Sequence, residues 1–171
     1  MRRSMLFLPG NTPNMLINGN CLGSDAIIFD LEDAVSPAEK DAARILVRNT
    51  LRYMDFRGCE TIVRINSIDT PYWQKDLDTV LPQKPNLILL PKTGSAADVQ
   101  AADAYITEVE EKLGFARNTV GLMPLIETAM GVENAFAIAS ASSRVQALFL
   151  GAEDLTADLR CKRTKEGREI E

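Results

Sequence analysis

Polar residues that could do chemistry recur at one kind of place in this chain, directly after short apolar runs. Asp30, Glu32 and Asp33 follow the run 26–29, Arg64 follows 61–63, Lys92 follows 87–91, Glu127 follows 124–126, and Glu153 and Asp154 follow 147–151. Two carboxylates with no imidazole or thiolate beside them suit a hard cation, and Mg²⁺ takes one or two carboxylates together with substrate and water. Glu127 and Asp154 are the candidate pair, Glu127 also as a group lining the substrate site. Arg64 can grip a substrate carboxylate through its planar fork. Lys92 adds positive charge, as an ion-pair partner of a rim acid or as a Schiff-base amine. Asp30 and Glu32 either orient Arg64 and Lys92 or act as a base. Asp33 and Glu153, taken singly, read equally well as solvated loop residues. A mouth with a divalent ion, a guanidinium and no imidazole suits a 2-oxo or 2-hydroxy acid, and aldol or Claisen chemistry, enolisation or decarboxylation.

These residues converge only if the apolar runs are strands of one parallel sheet, whose ends open on a common rim. The run 26–29 is apolar without alternation, as a strand buried on both faces is. Further strands are predicted at 4–8, 61–65, 87–90, 120–126 and 147–150. Between them lie helical patterns. Thr12-Pro13 opens a short helix to about Asn20, and Ser36-Pro37-Ala38-Glu39 reads as a capping box before a stripe of Ala43, Val47, Leu51 and Met54. Thr70-Pro71 caps a helix that turns Trp73, Leu77 and Val80 inward. Ser95 caps one carrying Val99, Ala102, Ile106, Val109 and Leu113, and Gly114 stops it. Val132, Ala135, Phe136 and Ala139 form the next apolar face. Strands starting roughly 20–35 residues apart with helices between them are the rhythm of repeated βα units. Two architectures fit, a doubly wound sheet or a cut-short (β/α)8 barrel, and the absence of a glycine-rich dinucleotide fingerprint after the first strand weakens the first. The expected fold is therefore α/β, a TIM (β/α)8-type barrel truncated to about six βα units, forming one domain over 1–171 with its C-terminal part missing.

Composition narrows the function classes. With 19 Lys+Arg against 24 Asp+Glu the chain is mildly acidic, which disfavours nucleic acid. No apolar run approaches a membrane span. The run after Arg2-Arg3 is too short for a signal peptide, so a cytoplasmic protein is expected. The absence of histidine removes Ser-His-Asp and Cys-His systems, and the three cysteines have no metal-ligand spacing. Open strand edges predict a homo-oligomer.

The segments RSMLFLPG (3–10), FDLEDAV (29–35), VRIN (63–66), LPK (90–92), IETA (126–129) and GAEDL (151–155) resemble, in order, those of the HpcH/HpaI aldolases and acyl-CoA lyases. AVSPAEKDAAR (34–44) and INSIDTPYWQKDLD (65–78) are most similar to the citrate lyase beta subunits within that family. The resemblance implies a TIM barrel and cleavage of a citryl thioester, on CoA or an acyl carrier protein, to oxaloacetate and an acetyl thioester. It implies Mg²⁺ on Glu127 and Asp154, a substrate carboxylate on Arg64, and as partners an alpha subunit and a gamma acyl carrier subunit. A malyl-CoA-type lyase of the same family, or a binding subunit without activity, are the alternatives.

Overall fold

The computed structural model describes residues 2–56 and 58–170. Six strands, β1 (Met5–Pro9), β2 (Ala26–Asp30), β3 (Glu60–Arg64), β4 (Leu87–Leu90), β5 (Gly121–Ile126) and β6 (Phe149–Leu150), form one sheet in sequence order. Every neighbouring pair is parallel. The crossovers carry α1 (Pro13–Asn18), α2 (Lys40–Tyr53), α3 (Trp73–Val80), α4 (Ala96–Lys112), and the shorter α5 (Ala129–Glu133) and α6 (Ala135–Ala139). A last helix, α7 (Ala152–Asp158), follows β6.

Side chains of a strand alternate between its two faces, and here both faces are buried. Ile27, Phe29, Val63, Ile88 and Leu122 meet the helices through Val47, Leu77, Val80, Val99 and Ile106. The alternate residues Ala26, Ile28, Ile62, Leu87, Leu89, Met123 and Leu125 form a second cluster inside the curl, with Phe7 and Phe149 packed against it. The first and last strands are not paired, yet the rings of Phe7 and Phe149 meet edge to face with centroids 6.0 Å apart. The sheet is thus a curled half-barrel of six βα units whose interior is filled by side chains.

Helix starts differ in detail from the sequence expectation. Ser95 and Asp98 do form a reciprocal capping box. Ser36 does not cap α2: its hydroxyl lies 3.0 Å from the Glu39 carboxylate, and the helix starts at Lys40 after a short 3-10 turn. Thr70 donates its hydroxyl to the Ser67 carbonyl in a turn, and α3 starts at Trp73. The larger difference follows β5. Asn134 ends α5, begins α6, and donates its side-chain amide to the Gly94 carbonyl. That break rotates the expected stripe outward, so Val132 and Phe136 are exposed and Ile138 is the buried residue. The sixth strand is shorter than 147–150, and Val145 makes only an isolated bridge to Leu122.

Candidate active site

The inner face of the sheet continues upward into the polar residues. Asp30 extends the inward series Ala26, Ile28; Arg64 extends Ile62; Glu127 extends Met123, Leu125. Parallel register then sets Asp30 directly opposite Arg64. The Arg64 guanidinium is forked onto Asp30, with Nε 2.7 Å from Oδ1 and Nη2 2.6 Å from Oδ2. It also lies over the Phe7 ring, 5.0 Å from the centroid. Asp30 therefore occupies the Nε–Nη2 edge of Arg64, and Nη1 faces Glu32 and Asp33. Burial acts to lower the Arg64 pKa, but Asp30, Glu32 and Asp33 overcome it and raise it.

Glu32 bridges two cations. Its Oε2 is 3.1 Å from Arg64 Nη1 and its Oε1 is 2.8 Å from Lys92 Nζ. Both contacts pair opposite charges within hydrogen-bond distance. Burial pushes the Glu32 carboxyl up, against the pull of Lys92 and Arg64. Lys92 is raised by Glu32 in turn, and also approaches Asp33 at 3.5 Å. The ion-pair reading of Lys92 is thus the observed one. Its backbone is left-handed, with φ 51°, which is strained for a side-chain-bearing residue. That turn aims the Lys92 N–H at Glu127 Oε2, 2.8 Å away.

Glu127 is buried, and among the described residues no Lys or Arg side chain forms an ion pair with it. Burial pushes its pKa up to about 7, and the charges of Glu32 and Asp154 push the same way. A Cβ at Gly151 would stand 2.5 Å from Glu127 Cγ and 2.9 Å from Oε1, so the carboxylate rests on bare backbone. Asp154, in the first turn of α7, shares a cavity of about 290 Å³ with Glu127, Arg64 and Phe7. Glu32 and Lys92 line a neighbouring cavity of about 490 Å³ with Lys40 and Asn66, and Asp33 lies between the two. Asp30 is buried behind Arg64. Glu153 lies on the rim of the same cavity as Asp154 and pairs with Arg163 at 2.9 Å.

A cation fits this arrangement. A buried carboxylate without a cationic partner is costly, and a second carboxylate on the same cavity raises that cost unless a positive charge lies between them. No group of three or more His, Cys, Asp or Glu meets at one point among the described residues. An ion such as Mg²⁺ keeps several waters and needs only one or two carboxylates. Sequence reasoning missed Gly151, whose only signal is a glycine beside the GAEDL acids, and the Asp76 cluster. Asp76 is fully buried, accepts from Arg44 Nε and from both the backbone and side-chain amides of Asn66, and so fixes the loop after β3.

The family model described as HpcH/HpaI aldolase/citrate lyase matches residues 3–171. The chain belongs to this family. Among its curated members, the citrate lyase subunit beta of Leuconostoc mesenteroides is 42% identical over 170 residues, 99% of this chain and 56% of the relative. An L-malyl-CoA/beta-methylmalyl-CoA lyase of Cereibacter sphaeroides is 37% identical over 160 residues, 92% of this chain and 50% of the relative. The solved citrate lyase beta subunit of Mycobacterium tuberculosis, complexed with oxaloacetate and magnesium, superposes with a TM-score of 0.74 at 32% identity. It is covered to 67%, against 97% of this chain. The chain thus spans little more than half the length of the curated family members it matches.

Proposed function

We propose that this chain carries the active-site mouth of a carbon–carbon lyase that cleaves a citryl thioester, on CoA or on an acyl carrier protein, to oxaloacetate and an acetyl thioester. The observation that carries the reading is Glu127: a buried carboxylate without a side-chain cation, beside Asp154 on a cavity that Arg64 also lines. Glu127 and Asp154 would hold Mg²⁺, which supplies positive charge to the hydroxyl and carboxylate oxygens of the substrate. The tuberculosis relative, solved with oxaloacetate and magnesium, supports that choice of ion and product.

The chain's own residues do the rest by placement. With Asp30 on its Nε–Nη2 edge and Glu32 at Nη1, Arg64 takes a substrate carboxylate through its remaining Nη N–H groups. A held carboxylate keeps the scissile C–C bond in one orientation. Glu32 and Lys92 act through Arg64 rather than on the substrate, because they line the neighbouring cavity. The Lys92 N–H keeps Glu127 Oε2 engaged and leaves Oε1 for an ion.

In this reading the chain works in the cytoplasm, as part of a homo-oligomer, beside an alpha subunit and a gamma acyl carrier subunit. Among the described residues no helix is long and apolar enough to cross a membrane. Cleavage of malyl-CoA is the second reading, favoured by the 37% identity to the Cereibacter lyase. Purified protein incubated with citryl-CoA and, separately, with malyl-CoA distinguishes them. Oxaloacetate from citryl-CoA, abolished by EDTA, is the expected result. Glyoxylate from malyl-CoA alone would move the substrate assignment, and no product from either would leave a binding subunit.

A further inference from the structure

Lys40 opens α2, where a lysine ordinarily points to solvent, yet it is buried. Its side chain turns back on the loop leaving β2. Nζ donates to the carbonyl oxygen of Leu31 at 2.7 Å and to that of Glu32 at 2.6 Å. Asp30 does the complementary work: Oδ1 accepts from the Glu32 N–H at 2.8 Å and Oδ2 from the Ala34 N–H at 3.2 Å. A carboxylate gathers the loop's donors and an ammonium gathers its acceptors. Among the described residues Lys40 forms no ion pair, although burial lowers its pKa against the opposing charges of Asp30, Asp76, Glu32 and Asp33. An ammonium taken out of water for two carbonyls is costly, and what the loop gains is a fixed Glu32.

We propose that Lys40 is a positioning residue for the lyase reaction: by clamping the Leu31 and Glu32 carbonyls it sets the direction of the Glu32 side chain, and through it Arg64 and Lys92. The distances carry the argument. Glu32 reaches Arg64 Nη1 at 3.1 Å and Lys92 Nζ at 2.8 Å, and where its backbone stands decides whether it spans both. Lys40 is bonded to that backbone. Glu32 shares Arg64 Nη1 with an incoming substrate carboxylate, and small displacements of such a group carry large rate penalties. The inference rests on the reading of Arg64 as the substrate-carboxylate group.

The test uses Lys40→Met and the milder Lys40→Gln. In both, amide exchange at residues 32–34 should accelerate by about tenfold or more, with β3 and β4 unchanged. On citryl-CoA, kcat should fall by about tenfold with KM within about twofold. In a Glu32→Gln background the same change at Lys40 should cost less than about twofold, because its route of action is gone. Exchange at the wild-type rate overturns the clamp. A kcat loss of equal size in both backgrounds overturns the positioning role and leaves a purely structural one. If Lys40→Met does not fold, Lys40→Gln decides by the same criteria. If the wild-type protein cleaves neither thioester, the functional reading fails, and exchange alone upholds or overturns the clamp.

Discussion

At the level of single residues, one carboxyl group sits in an environment that disfavours its charge. Glu127 titrates near pH 7 in the folded protein, well above the ordinary carboxylate range. A metal binds only the ionised form. Mg²⁺ affinity should therefore rise about tenfold per pH unit up to pH 7 and level off above it, measured by calorimetry across pH 5.5–8.5. The sign for stability is opposite. Because the folded pKa is raised, the unfolded state loses this proton first, and Glu127 costs stability as pH rises from its unfolded value through about 7. Glu127→Gln should therefore melt at or above the wild-type temperature at pH 8 without Mg²⁺, and fall below it when saturating Mg²⁺ is added. A lower melting point without the ion would mean that the carboxylate has a cationic partner in addition to the Lys92 N–H.

At the scale of elements, buried ion networks tie crossovers to the sheet. Arg144, before β6, is wholly buried and donates to Glu110 of α4 and to the Val120 carbonyl. Glu110 in turn accepts the backbone N–H groups of Asn118 and Val120. Arg144→Ala leaves Glu110 buried without a cation and should cost about 3–5 kcal/mol in urea unfolding. Gly151→Ala acts on the β6–α7 junction, where the added methyl meets Glu127. Mg²⁺ affinity should drop by about tenfold while circular dichroism stays native.

The same elements show how far a sequence can be read. The strands were visible because both faces are buried, so each is a plain apolar run. Arg64, Glu127 and Asp154 were visible because they are polar residues directly after such runs, and the parallel sheet brings them together. The outward turn of Phe136 was not visible: periodicity assumes an unbroken helix, and the break at Asn134 depends on a bond to the distant Gly94 carbonyl. Ser36 has the right type for a cap, but its hydroxyl goes to Glu39. The burial of Lys40 and the left-handed backbone of Lys92 have no local signal, since both arise from loops folded back on themselves.

At the scale of the whole molecule, six parallel strands curl until Phe7 and Phe149 touch, although β1 and β6 share no backbone pairing. Residues from β1, β3, β5, β6 and α7 reach one cavity above them. Met130, Val132, Phe136, Leu150 and Leu159 are exposed after β5 and β6, and this apolar surface accords with the proposed oligomer. Sedimentation should then give a species larger than one chain. The central claim, that Glu127 and Asp154 jointly hold a divalent ion at this mouth, is tested most directly by Mg²⁺ titration calorimetry. The wild type, Glu127→Gln and Asp154→Asn should be compared at pH 8. One Mg²⁺ per chain in the wild type, weakened by about tenfold or more in each variant with the fold retained, is the predicted result. Unchanged affinity in both variants would contradict it.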